Sequence, residues 1–511
     1  MAALAFEAGA QNWMDALDFA GNDYLGSARS VGMGNAMTAV GGDLGSLTFN
    51  PAGSAVASYS QFTITPGLSI ASVFGQGTLV DGSPYGFQDA VKNRSSRFQM
   101  PNFGAMVAYD THRKTGLKRV TFGMVGNMTR NYNYKYIATG TNRETSLAGS
   151  FGSQADGYPV SVMDGGYYQD DMPAWETMTA YMAGIINPFS DNRYYGLTER
   201  VLSGDKVELA DEIGQYYSRE RIGSKYDLLM NLGLNFSDRF YLGGNIGISM
   251  ISMSVDEIRA EEALDGKDYP AGFQYLRSRS LIEDSGSGIY AKIGFLARPF
   301  DGFRIGAAVQ TPTLYEFHEK YRVEARSSAA GRSNREMSDY VDDEWYYNLR
   351  TPVRFNVGAA YTFGKVALLS ADYELCNYNT TEFRPDAYDD IDFFDQNEKL
   401  RNYTCASHSI RVGGELKPSP EMAIRVGYNY TTSPEINMKA SRQAVSFGLG
   451  YSSAGSFFAD LAVRFQYLPD ELITPYYYYT TEDKVDEEVL TPQIGFQTSV
   501  CNALLTLGWR F

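Results

Sequence analysis

The stretch YDLLMNLGLNF (226–236), the link SDR (237–239) and the run FYLGGNIGISM (240–250) decide the fold. In the first run Tyr226, Leu228, Met230, Leu232, Leu234 and Phe236 share one face of an extended chain, while Asp227, Asn231, Gly233 and Asn235 share the other. After Ser237-Asp238-Arg239 the alternation resumes, with Phe240, Leu242, Ile246, Ile248 and Met250 set against Tyr241, Asn245 and Ser249. Two period-two runs joined by a short polar link make an antiparallel hairpin.

The unit recurs at 289–298 with 303–311, at 353–363 with 365–376, at 408–417 with 421–430 and at 444–452 with 457–467. Short links near 111–117, 237–239, 299–302, 364, 418–420 and 453–456 alternate with long ones near 75–96, 137–225, 255–285, 314–350, 378–405, 433–442 and 469–497. A soluble sandwich also alternates apolar with polar positions. Short turns on one side and long loops on the other instead mark an outer-membrane barrel, with the short side periplasmic. The reading is all-β: a 14-stranded antiparallel transmembrane barrel, its strands at 59–74, 97–110, 118–136, 226–237, 240–254, 286–299, 303–313, 351–363, 365–377, 406–417, 421–432, 443–452, 457–468 and 498–511. Both ends of the chain are placed in the periplasm. Pro66, Gly67 and Pro101 predict a bulge or break in the first strands.

Composition agrees. Of 511 residues 44% are hydrophobic and 20% charged, with 38 tyrosines and 29 phenylalanines needing burial or lipid. A net charge of -16 opposes a nucleic-acid surface. No run reads as a transmembrane helix of about 20 apolar residues. The opening MAALAFEAGAQ lacks the basic segment and long apolar core of a complete signal peptide, so either a signal was removed or none existed. At the other end Ala503, Leu505, Leu507, Trp509 and Phe511 share a face, and a closing aromatic matches the C-terminal signal read by the barrel assembly machinery. Tyrosines near strand ends, including Tyr476, Tyr477, Tyr478 and Tyr479, suit a membrane-interface belt.

Residues 1–58 do not alternate and form a separate segment before the barrel of 59–511. Within it Ala28-Arg29-Ser30, Gly32-Met33-Gly34-Asn35-Ala36, Gly41-Gly42-Asp43 and Asn50-Pro51-Ala52-Gly53 resemble the hatch of the FadL/OmpP1/TodX family of outer-membrane proteins, particularly its Bacteroidota branch. That resemblance implies a monomeric barrel closed by an N-terminal hatch, which takes up long-chain fatty acids or similar apolar compounds and releases them sideways at an inward kink of the third strand. By motif, Arg29, Gly32, Gly34, Asn50, Pro51 and Ala52 take the hatch role. Asn50 can cap or cross-link hatch backbone, Pro51 fixes its own φ, and Arg29 can reach lumen carboxylates. The alternative is an accessory or docking component of a secretion or surface-assembly system, in which the long loops bind protein.

The polar faces put both signs of charge in the lumen, and Asp227, Arg354, Asp372, Glu374, Arg425, Asp460 and Arg464 are expected to form a paired network. Asp386, Asp389, Asp390 and Asp392 offer hard oxygen ligands for a loop-bound calcium, without the spacing of an EF-hand. His112, His318 and His408 lie on different elements and make no catalytic or metal constellation, so the reading is a non-enzyme with no cofactor. Cys376 and Cys405 leave a bridge open. The expected partners are a hydrophobic small molecule and the lipid and lipopolysaccharide of the outer membrane.

Overall fold

The computed structural model describes residues 12–511 apart from 79–85, 167–171, 204–205, 330–334, 337–340, 388–390, 437–440, 454–455, 477, 480–487 and 490–491. Fourteen strands form one antiparallel wall: β1 (Gln61–Thr78), β2 (Val91–Asp110), β3 (Leu117–Asn131 continued by Tyr134–Asn142), β4 (Ile213–Phe236), β5 (Phe240–Ala263), β6 (Phe273–Ala297), β7 (Phe303–Gln310 and Leu314–Ala329), β8 (Val341–Arg350 and Arg354–Phe363), β9 (Ala367–Asn377), β10 (Ala406–Leu416), β11 (Met422–Thr432), β12 (Ser441–Ser452), β13 (Phe457–Tyr467) and β14 (Gln493–Arg510). Closure runs from Gln61 opposite Arg510 to Thr78 opposite Gln493, so no edge strand is left at the seam. Ser60 and Phe511 exchange both backbone hydrogen bonds below that seam. Trp509 faces outward between Phe62 and Phe457, and Phe511 is exposed beneath it. The wall therefore begins and ends on the short-turn, periplasmic rim.

Alternation has the inside-out sense that lipid demands. Phe98, Phe122, Leu232, Ile246, Ile293, Val426 and Phe465 are exposed, whereas Asp227, Asn231, Asn235, Asn245 and Arg425 are buried in the lumen. No described helix is long and apolar enough to cross a membrane. The expected irregularity in the first strands is a bulge at Pro66, between the pairs Thr65–Asn102 and Gly67–Gln99.

The wall is much taller on one side than sequence periodicity predicts. β4, β5 and β6 run 24, 24 and 25 residues against 11 for β10, β11 and β13. The segments 213–225, 255–263, 273–285, 314–329 and 341–350, expected as loop, are thus strand. Above the membrane the outward face no longer needs apolar residues. Arg277 and Arg279 sit outside there while Leu276 and Ser278 are buried, so the lipid signature disappears although the ladder continues. On these extensions sits a folded cap built from the expected long loop 137–225. Its helices α3 (Leu147–Ala155) and α4 (Trp175–Met182) pack Leu147, Phe151, Met178, Ile185 and Tyr194 against Tyr217, Phe273 and Leu276 of the wall. Tyr476 belongs to this cap and not to an interface belt: it is buried, and its hydroxyl accepts from the side chains of Gln215 and Asn142. Tyr477 lies outside the described residues. All three cysteines are free, so Cys376 and Cys405 form no bridge.

Candidate functional site

The chain before β1 fills the lumen from below. Two short helices, α1 (Trp13–Ala20) and α2 (Ala28–Gly32), and the 3-10 turns Leu44–Thr48 and Pro51–Val56 make up the hatch. Asn50 caps the second turn. Its side-chain oxygen accepts from the Ala52 amide at 3.1 Å, and its NH2 group donates to the carbonyls of Thr38 in the hatch (2.8 Å) and Phe295 in β6 (2.9 Å). One amide thus bends the turn and fastens it to the wall. Pro51 occupies the first position of the turn, where a missing N–H costs nothing, and its carbonyl accepts from Asn231. Ala52 is fully buried. Arg29 donates to Glu415 at 3.2 Å, and Arg425 links the same carboxylate to Asp460.

Gly32 and Gly34 are explained by glycines on the wall that sequence reading passed over. A methyl group at Gly427 would lie 2.0 Å from the Gly34 nitrogen, and one at Gly413 would lie 2.2 Å from the Met33 carbonyl oxygen. Gly448 meets Gly32, Gly306 meets Thr38, and Gly243 meets Pro51. These are inward positions on successive strands, where hatch backbone rests on wall backbone and no side chain fits. Gly34 itself has φ +61°, a conformation natural only to glycine. The visible signal was glycine recurring at mid-strand inward positions.

The expected lumen charges all face inward, and all but Asp227 belong to groups that bind the hatch. Glu374 accepts from Arg354 (2.9 Å), Arg411 (2.6 Å) and the Tyr24 hydroxyl (3.2 Å). Asp372 accepts from the Thr38 amide at 2.7 Å, and Arg464 holds Asp23 at 2.8 Å. Asp227 stands apart, accepting from Ser249 and Tyr290. Asp23 was missed because it carries no periodic signal. With Arg354, Arg411, Arg442 and Arg464 it lines a narrow polar cleft beside the hatch. Of the calcium candidates, Asp389 and Asp390 lie outside the described residues, Asp386 accepts from Asn348, and Asp392 accepts from the Phe394 amide. Among the described residues no three His, Cys, Asp or Glu side chains gather to hold an ion.

Above this polar floor the lumen turns aromatic. Phe19 packs on Phe317, Phe317 stacks on Tyr347, and Tyr347 meets Phe383 and Phe393, with Trp13 and Tyr132 in the same buried cluster. At the mouth Trp175, Tyr321 and Trp345 form a triad of rings in mutual contact. Helix α1 lies inside the aromatic cluster. Arg130 and Arg221 grip its Asp18, and Lys225 donates to the carbonyls of Phe19 (2.7 Å) and Gly21 (3.3 Å) at its C-terminal end, where a helix favours cations. Although burial opposes it, Arg221 and Arg130 hold the Asp18 carboxyl well below its usual range.

Beside this cluster the wall is interrupted. β2 and β3 pair only from Asn102 opposite Asn127 down to Asp110 opposite Arg119. Higher up β3 breaks at Asn131–Tyr134 and turns inward, so far that a methyl at Gly75 of β1 would touch the Ile137 carbonyl. Residues 91–101 of β2 then have no ladder partner on that side among the described residues. Side chains bridge the lower rim of this window. Asn131 donates to Ser69 and Gln99, Asn102 donates to Asn127, and the Tyr226 hydroxyl of β4 reaches the Met100 carbonyl. Tyr132, at the break itself, is buried in the aromatic cluster and donates to the Asp18 carbonyl, so window, cluster and α1 meet at one residue.

No protein-family model matches this chain, and no curated protein does. Among solved structures it is similar to a Pseudomonas aeruginosa FadL homologue, with 11% identity, a TM-score of 0.53 and coverage of 95% of this chain and 98% of that one. The Pseudomonas putida toluene transporter TodX is similar at 12% identity and a TM-score of 0.49, over 95% and 98% of the two chains. The monoaromatic hydrocarbon channel CymD is similar at 9% and 0.47, over 97% and 98%. The first of these likenesses speaks for the fold, and that fold is an outer-membrane β-barrel, in keeping with the closed wall and lipid-facing apolar band of this chain.

Proposed function

We propose that the protein carries hydrophobic small molecules across the outer membrane, with long-chain fatty acids or similar apolar compounds as the leading substrates. The observation that carries the reading is the interrupted β2–β3 ladder beside an aromatic lumen that is sealed below by a bonded hatch. An apolar solute gains nothing from a water-filled pore, but its barrier falls if it moves along aromatic surface from the Trp175 stack to the Phe317–Tyr347 cluster and then sideways into lipid. No covalent chemistry is needed. The fold shared with a FadL homologue and a hatch motif that resembles that of the FadL/OmpP1/TodX family support the same class of cargo. Uptake of labelled oleate, toluene and a polar solute of similar size is to be compared in cells with the gene deleted and restored. Restored uptake of an apolar solute alone is expected; equal uptake of all three with and without the gene would sink the proposal.

The ordered cap favours one further reading, a docking component whose extracellular face binds protein. Removal of residues 147–209 separates the two. A docking role loses its partner while apolar uptake persists, whereas a transporter loses the Trp175 stack and takes up solute less well.

A further inference from the structure

The unpaired edge of β2 carries a charge pattern that lipid hydrocarbon does not explain. Outward positions run Tyr109, Val107, Ala105 and Phe103 up to Phe98, and then change to Ser96, Arg94 and Lys92. At about 3.3 Å per residue and a tilt of about 40°, Phe98 to Tyr109 spans about 28 Å, enough to cover an apolar band about 25 Å tall. Arg94 and Lys92 therefore stand just above the hydrocarbon, at the level of outer-leaflet headgroups. Arg97 is inward by register, opposite the buried Ser69, yet it is exposed because β3 has bent away. Lys92, Arg94 and Arg97 have no ion-pair partner among the described residues, although most other basic side chains along this wall do. On the outward face Arg94 lies opposite Ser72 and Lys92 opposite the exposed Phe74, and beyond these on β14 stand Ser499 and Gln497, so hydrogen-bonding groups flank the cations with one apolar ring among them.

We propose that this edge binds the phosphorylated headgroup of an outer-leaflet glycolipid. Lys92, Arg94 and Arg97 would supply the cations and Ser72, Ser499 and Gln497 the surrounding hydrogen bonds, so that the bound lipid forms the missing side of the window. The complementarity is specific in sign: three unpaired cations at headgroup level meet a surface whose fixed charges are phosphates. This site does not depend on what the lumen carries.

The test uses the full chain in detergent, with retention of bisphosphorylated lipid A followed by native mass spectrometry. The triple variant Lys92→Gln/Arg94→Gln/Arg97→Gln is compared with Arg113→Gln/Lys114→Gln on the opposite, periplasmic turn. Heat-modified gel migration verifies that each is folded. About fivefold per surface cation predicts roughly hundredfold weaker binding by the triple variant. The periplasmic variant should match wild type, and dephosphorylated lipid A should bind all three poorly. Equal retention by the triple variant would overturn the proposal. So would wild-type binding of dephosphorylated lipid A as tightly as the phosphorylated form, or a preference for a polyglutamate peptide over either lipid.

Discussion

Asn50 satisfies three partners with one amide: the Ala52 N–H, the Thr38 carbonyl and the Phe295 carbonyl. Asn50→Ala removes the partner of the buried Ala52 amide and Thr38 carbonyl and the tie to Phe295, at a cost of about 2–4 kcal/mol. The loss should show first as faster amide exchange over residues 38–56, while barrel migration on gels stays normal. Unchanged exchange there would mean that wall glycines, not Asn50, hold the hatch. Asp15 on α1 behaves differently. Burial pushes it up to about 6 from 3.8, against the pull of Arg221 and Arg219 and with the help of Asp18. A raised carboxyl favours the seated helix when protonated, so this contribution is complete below its unfolded value and is lost as pH climbs through about 6. Protection factors over α1 should fall between about pH 4 and 6.5 and level off above that, and Asp15→Asn should flatten that slope. An identical slope in the variant would contradict the assignment. At this scale the motif residues were legible, because a capping Asn followed by Pro has one structural meaning. Asp23 and the facing glycines were not, since nothing local announces which backbone another backbone will touch.

Helix α1 is the element that keeps the upper lumen closed. It is held by cations at Asp18 and at its final carbonyls, and it occupies aromatic surface that would otherwise suit an apolar guest. Deleting residues 1–21 should leave a folded, heat-modifiable barrel that binds an apolar fluorescent probe such as N-phenylnaphthylamine severalfold more strongly. Unchanged probe binding would show that another element fills the space. Strands were legible wherever lipid imposes an apolar outer face, as in β10 to β13. Above the membrane β4 to β8 keep the ladder but lose that constraint, which is why their upper halves read as loops. The break in β3 was anticipated only by family resemblance. Within the sequence, Asn131-Tyr132-Asn133 has no proline or glycine to mark it, and the groups that replace its ladder bonds come from three other strands, β1, β2 and β4.

The whole molecule combines a closed barrel, a floor bonded to most of its strands and, among the described residues, a break in the ladder between β2 and β3. A hatch tied by Asn50, Arg29, Thr38 and Asp23 is a poor candidate for displacement on each transport event, whereas the break between β2 and β3 is crossed, among the described residues, by side-chain bonds alone. We propose that apolar solute leaves through that break. Gln99 and Asn131 already touch across its lower rim, at 3.3 Å between side-chain atoms. With Cys376, Cys405 and Cys501 replaced by serine, Gln99→Cys/Asn131→Cys allows the rim to be locked by oxidation and freed by reductant. Uptake of labelled oleate by cells carrying this variant is expected to stop when the bridge forms and to recover when it is reduced; full uptake with the bridge closed would contradict the account.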